Sequence, residues 1–451
     1  MISTALHHGI IKWIRFTLLA FLCMITGIVH AITYYDQKET DLQTFFVQKG
    51  ATYVIRYPHI QRGITTIPSN STIDFQGGSI AGNIKFDNTL LKGNVRLQGS
   101  SISGTIQNKF FNAQWLCYAD GKKDDAASIN AILQICNEVQ FPKGTYLLVS
   151  THNPTYKINK PYHLGINRSG TKLIGEKGAT LTTKTKAGTL CIYSKPYDIP
   201  NSIHDIKIEG LTFMVQNEGT EWDSYQEHCH TISLIGVNRC FIENCTIRNF
   251  WGDAICLNHY GDNENTGERT RNMNVVVRNN HIDGYKCCNR NGVSVINGQH
   301  VIIARNTFVN TSHSNMPGAI DIEPNNKAYT VDDIKIINNR IDNCQGANAA
   351  IGIISNERGG PAHNIQIIKN HITNSRRAFE FAVGTDYAAS NITVKNNWAD
   401  KNTDPWIWHG EGRTKNWVFT GNTFLHDTKM RFGRGVKFEG LKNTNNKINY
   451  R

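Results

Sequence analysis

The sequence has little proline and only one long apolar run. Its 451 residues include 11 prolines, and the many β-branched residues and asparagines favour β structure with repeated turns. The apolar run, FTLLAFLCMITGIV at 16–29, is short for a transmembrane helix. It follows Lys12 and Arg15 and ends beside Val29-His30-Ala31, which fits a small-residue cleavage site. We therefore predict a signal peptide at 1–31, a mature protein without a membrane span, and a secreted, periplasmic or cell-surface location.

The spacing of the cysteines argues against both a disulfide framework and a zinc site. Ten of the 11 cysteines follow residue 31, and they are scattered rather than spaced as in a small disulfide framework. No CxxC pair and no His/Cys spacing is typical of a zinc site. We therefore assign no metal ligands from the cysteines.

The charge of the chain points to an anionic partner. Residues 1–31 contain two basic residues and no acidic ones, so removing them changes the formal net charge from +12 to +10. A basic exported protein is suited to an acidic polysaccharide or a cell surface. Nucleic acid is not the expected partner outside the cell.

From residue 203 onward the sequence repeats itself. The copies are DIKIEGLTF (205–213), CFIENCTI (240–247), NVVVRNNHI (274–282), HVIIARNTF (300–308), DIKIINNRI (333–341), NIQIIKNHI (364–372), NITVKNNWA (391–399) and NWVFTGNTF (416–424). Their separation of 25 to 35 residues indicates a solenoid, and short strands without long helices between them favour a β-solenoid. One equivalent position holds Leu211, Cys245, Asn280, Asn306, Asn339, Asn370, Asn397 and Asn422. The six asparagines predict a ladder of stacked amides inside the coil.

A second strand follows each copy from HTISLIG onward. Its predicted inward pairs are Ile232/Leu234, Ile255/Leu257, Val293/Val295, Ile320/Ile322, Ile351/Ile353 and Phe379/Phe381. The outward positions between them are Ser233, Cys256, Ser294, Asp321, Gly352 and Glu380. This pattern predicts parallel strands of successive coils, about 4.8 Å apart.

The regions outside the repeat suggest a domain division. STIDF, GNIKF and GNVRL recur within 72–97 and predict a small β-rich unit over 32–110. At 115–136, Asp124 or Asp125 can cap a helix whose apolar face includes Ile129, Ile132 and Leu133. Such a helix can close the end of a solenoid. We predict the solenoid domain over 111–427 and a tail over 428–451.

A resemblance to a known superfamily rests on two motifs. WLCYADGKKDDAASINAIL followed by FPKGTYLL resembles the opening of pectate-lyase-like proteins and their polygalacturonase relatives. The resemblance covers residues 110 to 425 and implies an all-β fold, the right-handed parallel β-helix. It leaves the reaction open, because the superfamily includes lyases, hydrolases, epimerases and phage tailspikes.

The polygalacturonase motifs are largely replaced. In that family one coil carries Asn-Thr-Asp, the next Asp-Asp and the next Gly-His-Gly. Here GDAI (252–255) keeps only Asp253, with Gly252 where an acid is expected. RNGVS (290–294) has Asn291 in place of the histidine, HCHT (228–231) replaces the first motif, and the later Arg-Ile-Lys motif has no match. The resemblance therefore does not imply the usual polygalacturonase mechanism.

Polar residues of four consecutive coils are predicted to converge on one outer face. They are His228, His230, Asp253, Arg290, Asn291, Asp321 and Glu323. Small residues in neighbouring coils would leave room for a sugar chain. Trp251 and Tyr260, in loops of the same coils, are predicted to stack on sugar rings, and Glu380 to contact the substrate.

Two chemistries can be built from this face. The Cα atoms of Asp321 and Glu323 should lie about 6.6 Å apart on a strand, near the carboxyl separation of roughly 6.5–9.5 Å in inverting glycosidases. With Asp253 they could form a hydrolase. Alternatively, Arg290 could pair with a uronate carboxylate and His228 or His230 could remove a proton, which is β-elimination. In that case Asp321 and Glu323 could instead hold Ca²⁺, the one cofactor we consider.

The leading hypothesis is an exported monomeric polysaccharide lyase acting on a uronate-containing glycan, either pectin-like or a glycosaminoglycan. The first alternative is a glycoside hydrolase using Asp253, Asp321 and Glu323. The second is a non-catalytic glycan-binding solenoid. Unsaturated products would indicate the lyase, new reducing ends without unsaturation the hydrolase, and binding without either product the non-catalytic solenoid.

Overall fold

The computed structural model describes residues 32–152, 160–194, 202–218, 224–259, 264–284, 289–311, 318–345, 349–355, 359–403, 407–426 and 435–449. The predicted signal peptide at 1–31 lies outside these residues. The chain divides into two units, one reaching Leu97 and including Gly104–Gln107, the other formed by Gln98–Ser103 and the chain from Asn108 onward. Within the described part of the chain, no helix combines the length and apolarity needed to span a membrane.

The first unit contains short strands arranged in parallel. Its elements are β1 (Thr33–Tyr35), α1 (Leu42–Phe45), β2 (Thr52–Ile55), β3 (Pro58–Thr66), β4 (Thr72–Phe75), β5 (Ser79–Gly93) and, from Gly104 onward, the end of β6 (Ser101–Ile106). The strands follow the order β1-β2-β4-β5-β3. Tyr53, Ile55, Ile73 and Phe75 alternate inward and are buried, as the repeated apolar pattern of 72–97 predicts for a β repeat.

The second unit is a parallel β-helix with three long sheets. Sheet I contains β7 (Phe111–Asn112), β9 (Glu138–Phe141), β12 (Lys172–Gly175), β15 (Ile203–Glu209), β18 (Val237–Glu243), β21 (Asn272–Arg278), β24 (Gly298–Ala304), β27 (Val331–Ile337), β30 (Ala362–Ile368), β33 (Ala389–Lys395), β37 (Val418–Thr420) and β40 (Lys442–Thr444). Sheet II contains β8 (Asp120–Asp124), β10 (Gly144–Leu147), β13 (Ala179–Thr183), β16 (Thr212–Val215), β19 (Thr246–Arg248), β22 (His281–Asp283), β25 (Thr307–Val309), β28 (Arg340–Asp342), β31 (His371–Thr373), β34 (Trp398–Asp400), β38 (Thr423–Leu425) and β41 (Lys447–Asn449).

Sheet III is the shortest of the three and carries the candidate site. It contains β11 (Tyr162–Ile166), β14 (Gly188–Tyr193), β17 (Ile232–Ile235), β20 (Ile255–Leu257), β23 (Val293–Val295), β26 (Ile320–Ile322), β29 (Ile351–Ser355), β32 (Phe379–Val383) and β35 (Ile407–His409). A separate pair is formed by β36 (Arg413–Lys415) and β39 (Lys437–Glu439). The range 428–451, predicted to be a tail, thus contributes strands: β40 pairs with β37 and β41 with β38, which continues two sheets.

The predicted interior is confirmed. All six inward pairs of sheet III are fully buried, and each strand aligns with the next in register, for example Ile320 with Ile351 and Ile322 with Ile353. Alternating apolar residues on short parallel strands therefore place one pair per coil in a continuous core.

The asparagine ladder is also confirmed. Asn339 illustrates it: its Nδ2 donates to Ile303 O at 2.9 Å and to Asn370 Oδ1 at 3.0 Å. Its Oδ1 accepts from the backbone N–H of Asn306 at 2.9 Å. The residue before each ladder asparagine turns the chain with a positive φ, as Asn338 does at 56°. The side chains thus satisfy the backbone where successive coils bend.

A helix follows the first turn of the solenoid. α2 spans Ala126–Ile135, and the side chains of Ile129, Ile132 and Leu133 are buried as predicted. Asp125 is at the N-cap position but its side chain makes no capping hydrogen bond, whereas Asp124 Oδ1 accepts from the backbone N–H of Ala126, the first helical residue. Asp125 instead accepts from the backbone N–H groups of Tyr118 and Ala119. A third helix, α3, spans Glu264–Arg269, and short 3₁₀ helices span Ala113–Trp115 and Ser224–His228.

The cysteines of the described segments form no disulfides. Cys117, Cys136, Cys191, Cys229, Cys240, Cys245, Cys256 and Cys344 are buried thiols. They act as small apolar side chains of the coil. Cys287 and Cys288 lie outside the described residues.

Candidate functional site

The outward column of sheet III has the alignment predicted from sequence. Neighbouring strands pair Ser233 with Cys256, Cys256 with Ser294 and Ser294 with Asp321. Asp321 is followed by Gly352 and then by Glu380. One position per coil therefore faces the same side of the solenoid, and Asp321 lies in the middle of the column.

The segments that lead into these strands also stack. The backbone N–H of Thr231 donates to Asp253 O, and that of Ala254 donates to Asn291 O. The N–H of Arg290 donates to Gly252 O. These bonds place His230, Asp253 and Asn291 in three consecutive coils, directly before β17, β20 and β23.

Asp253 is fixed by its neighbours rather than open to solvent. Its Oδ1 accepts from the backbone N–H of Asn291 at 3.1 Å. Its own backbone N–H donates to His230 Nδ1 at 3.2 Å, and the side chains of Asp253 and His230 are both about 3% exposed. Because Nδ1 accepts this bond, His230 is a neutral imidazole. Asp253 and His230 are therefore suited to positioning more than to direct contact with a polymer.

Burial lowers the pKa of His230 to about 4, although the nearby Asp253 carboxylate opposes this. In the unfolded chain the pKa returns to about 6.5, so below that pH the unfolded chain binds a proton that the folded protein does not. We therefore expect the wild type to lose up to about 3 kcal/mol of unfolding free energy, relative to His230→Asn, as pH falls from 7 to 4. Asparagine can still accept from the Asp253 N–H. Urea unfolding of both proteins across this range measures the difference, and a pH-independent difference would contradict the assignment.

Asn291 holds Asp321 in place. Its Nδ2 donates to Ser294 Oγ at 2.7 Å and to Asp321 Oδ2 at 3.2 Å, and its Oδ1 accepts from the Gly318 N–H at 3.0 Å. Asn291 is buried, so its amide is used by the protein. The prediction that Asn291 binds substrate directly is not supported, because protein groups occupy both ends of the amide.

Asp321 and Glu323 form a close carboxyl pair. Glu323 is within hydrogen-bonding reach of Asp321, and Asp321 is only 2% exposed. Burial, followed by the charge of Glu323, raises the pKa of Asp321 well above its ordinary value. Burial also raises the pKa of Glu323. Asp321 Oδ1 receives no hydrogen bond from other described residues, so a proton shared between the two carboxyl groups accounts for its environment.

This pair differs from the separation expected from the strand repeat. The Cα spacing of about 6.6 Å does not describe the carboxyl groups, because β26 ends at Ile322 and Glu323 lies beyond it. The two side chains converge instead of standing apart. They therefore lack the gap for a water molecule that an inverting acid and base require.

Arg290 is the cation of the site. Its Nη1 lies 3.3 Å from Glu227 Oε1, and its side chain is 15% exposed. Burial alone would lower the pKa of Arg290, but the fields of Asp253, Glu227 and Asp321 outweigh it and raise that pKa. The guanidinium thus remains charged beside the carboxyl pair, with part of its surface open to solvent.

Gly252 explains one departure from the polygalacturonase motif. A Cβ atom at this position would lie 2.7 Å from Glu227 O and 3.0 Å from Gln226 O. An aspartate here would therefore displace the 3₁₀ helix Ser224–His228. The glycine allows that helix to pack against the coil of Asp253, which brings Glu227 and His228 to Arg290.

His228 lies at the edge of the same cluster. Its ring centroid is 6.3 Å from that of His230, and it is only partly buried. Burial lowers the pKa of His228, Glu227 raises it, and Arg290 lowers it. At neutral pH His228 is therefore a neutral base that solvent can reach.

The remaining predicted residues have separate environments. Trp251 is 3% exposed, its Nε1 donates to Thr185 O at 3.1 Å, and it packs with Val215 and Cys229. No ring face is open for a sugar, so its predicted role in binding is not supported. Glu380 lies in the Asp321 column and pairs with Arg377 at 3.3 Å. Tyr260 lies outside the described residues.

Sequence reasoning missed Glu227 as a site residue, whereas Tyr225 is one of the aromatic residues that the sequence places near the same coils. Both lie on the 3₁₀ helix directly before His228. Tyr225 is 43% exposed, and Lys160 Nζ lies 3.4 Å from its ring centroid. Proximity in sequence to His228 was the available signal for Glu227.

The residues present do not fit a calcium site. Ca²⁺ takes six to eight oxygen ligands, whereas Asp321 and Glu323 favour a shared proton and have Arg290 beside them. Ligand atoms of His230, Asp253 and Cys256 lie within 4.8 Å of one another, but His230 Nδ1 already accepts from the Asp253 N–H and burial raises the pKa of the Cys256 thiol. We therefore derive no chemical step through a metal.

Several solved structures have a similar fold. The chain is similar to the hyperthermoactive exopolygalacturonase of Thermotoga maritima over 75% of its own length and 92% of that chain, with 12% identity and a TM-score of 0.51. It is also similar to the mannuronan C-5 epimerase AlgE6 A-module of Azotobacter vinelandii (75% and 98% covered, 12% identity, TM-score 0.46) and to PfbA, a surface adhesin of Streptococcus pneumoniae (74% and 91% covered, 13% identity, TM-score 0.46). No protein-family model and no curated protein sequence matches the chain. The right-handed parallel β-helix is thereby confirmed as the fold.

Proposed function

We propose that this β-helix protein is an exported enzyme that cleaves a uronate-containing polysaccharide by β-elimination. The observation that carries the proposal is the surroundings of Arg290: a charged, partly accessible guanidinium whose field acts both on His228, a base with a lowered pKa, and on the Asp321–Glu323 pair, whose pKa values burial raises. Elimination needs these three kinds of group together. The same fold serves the exopolygalacturonase named above, which agrees with a glycan substrate.

In the proposed reaction Arg290 pairs with the uronate carboxylate and stabilises the negative charge that develops there. His228 Nδ1 or Nε2 takes the proton from C5. The bond between C4 and the glycosidic oxygen breaks, and a double bond forms between C4 and C5. The Asp321–Glu323 pair then donates its proton to the leaving oxygen, a task for which a raised pKa is suited.

Glycoside hydrolysis is the second candidate, and the same carboxyl pair favours it. A protonated carboxyl could serve as the general acid, with Asp253 as the base that activates water. However, Asp253 is buried and its Oδ1 already accepts from the Asn291 N–H. Elimination is the better fit, because His228 is accessible where Asp253 is not.

The deciding experiment is a product assay on polygalacturonate, alginate and hyaluronan. We expect ultraviolet absorbance from a C4–C5 double bond to appear with one of these polymers. Asp321→Asn should reduce its rate by roughly 10²-fold, and Asn343→Asp, an exposed position, serves as the control. Reducing ends without absorbance would establish hydrolysis instead. Binding with neither signal would favour a non-catalytic solenoid.

Export is the remaining part of the proposal, and it rests on residues 1–31. We expect protein recovered from the periplasm or the medium to begin at Ile32. N-terminal sequencing of the recovered protein measures this directly, and a chain that retains Met1 and stays inside the cell would contradict it.

A further inference from the structure

Glu227 differs from the other acidic groups around Arg290. Its side chain is 39% exposed, whereas Asp253 and Asp321 are buried. It belongs to a one-turn segment, Ser224–His228, and not to a strand of the coil. Of the carboxylates whose charge acts on Arg290, Glu227 is therefore the one that can leave at little structural cost.

The contact between Glu227 and Arg290 has the chemistry of substrate binding. A Glu227 carboxylate oxygen lies 3.3 Å from Nη1 of Arg290, whose side chain is 15% exposed. A uronate carboxylate would seek the same charged donor, because arginine and carboxylate form strong, directional hydrogen bonds. Because the Glu227 side chain is 39% exposed and an ion pair near the surface contributes little stability, an incoming carboxylate can replace it.

We propose, on the basis of the function proposed above, that Glu227 occupies the position on Arg290 that the substrate carboxylate takes, and that a uronate displaces it on binding. A uronate replaces one carboxylate by another and keeps Arg290 paired. A neutral hexose offers only hydroxyl groups, which do not compensate the charge. A uronate can therefore displace Glu227 from Arg290, whereas a neutral hexose cannot.

The charge of Glu227 also reaches His228, the adjacent residue. Glu227 raises the pKa of His228, and Arg290 lowers it. Removing the negative charge should therefore lower the pKa of His228. This provides a measurement that needs no substrate: titration of the His228 ring by NMR in the wild type and in Glu227→Gln.

The test compares binding of D-galacturonate and D-galactose to the mature chain by saturation-transfer NMR. We expect Glu227→Gln to bind galacturonate roughly fivefold more tightly than the wild type does, with galactose binding unchanged. In an Arg290→Gln background, Glu227→Gln should have no effect on galacturonate. Glu209→Gln is the matched control, because Glu209 is a partly exposed acid paired with Lys207 at 2.8 Å on sheet I.

Three outcomes would overturn the inference: equal galacturonate affinity in wild type and Glu227→Gln, an equal gain for galactose, or a gain that persists without Arg290. Each is independent of catalysis. If galacturonate binding responds as expected but no polymer is cleaved, only the proposed reaction fails. If a polymer is cleaved but the binding does not respond, only the role of Glu227 fails.

Discussion

Replacing Arg290 by alanine should reduce polymer cleavage by roughly 10²–10³-fold. The guanidinium is the charge that would neutralise the substrate carboxylate, and it also lowers the pKa values of Asp321 and Glu323 against the effect of burial. Without the guanidinium, the substrate carboxylate has no ion-pair partner, and the negative charge of ionised Asp321 is less stabilised. The measurement is the initial rate of absorbance increase with the polymer that the wild type cleaves.

Two further variants separate this role from a structural one. Arg290→Lys keeps a positive charge but loses the planar fork, so an intermediate rate is expected. Arg278→Ala removes an arginine that pairs with Glu243 at 2.6 Å on sheet I, away from the site, and should leave the rate unchanged. Circular dichroism should show the β structure of all three to be retained. A folded Arg290→Ala protein with more than half of the wild-type rate would remove Arg290 from the mechanism.

Replacing Asn339 by alanine should be among the most destabilising substitutions in the solenoid. The backbone N–H of Asn306 would lose its acceptor, Asn339 Oδ1, and Ile303 O would lose a donor. Both groups are in the interior, and each buried polar group without a partner costs about 1–3 kcal/mol. The expected loss of unfolding free energy is therefore roughly 2–6 kcal/mol.

Urea unfolding followed by circular dichroism measures this loss, and Asn446→Ala provides a graded comparison. Asn446 makes the corresponding contacts at the last coil, where it is only part-buried, so water can replace the missing side chain. We expect its effect to be less than half that of Asn339→Ala. Equal losses of unfolding free energy would mean that the stability contributed by a ladder asparagine does not depend on its burial.

Much of the fold could be predicted because each coil repeats the same pattern of buried apolar residues and turn asparagines. Alternating pairs such as Ile320 and Ile322 must face the interior, and their spacing within each repeat fixes the register of the next strand. The alignment of Asp321 with Ser294 and Gly352 follows from that register alone. The ladder could be predicted for the same reason, since asparagines recur at one position of the coil.

The finer geometry of the site depends on chain segments that do not repeat. Glu323 lies past the end of β26, so strand spacing could not predict that its carboxyl group would approach Asp321. Trp251 lies in a loop, where sequence does not distinguish a ring that packs inward from one that faces solvent. Glu227 reaches Arg290 only because Gly252 allows a 3₁₀ helix to approach the coil, a contact between residues of different turns.

The ladder and the core repeat at every turn, but the peptide between them varies in length, with 25 to 35 residues from one ladder position to the next. Each turn therefore behaves as a separate module. The segments between its strands can become longer or shorter while the strands of neighbouring turns remain paired. Evolution could in this way change the segments between the strands without disturbing the strands that carry the site. An engineer could exchange a segment between two strands in the same manner while the reacting groups stay in place.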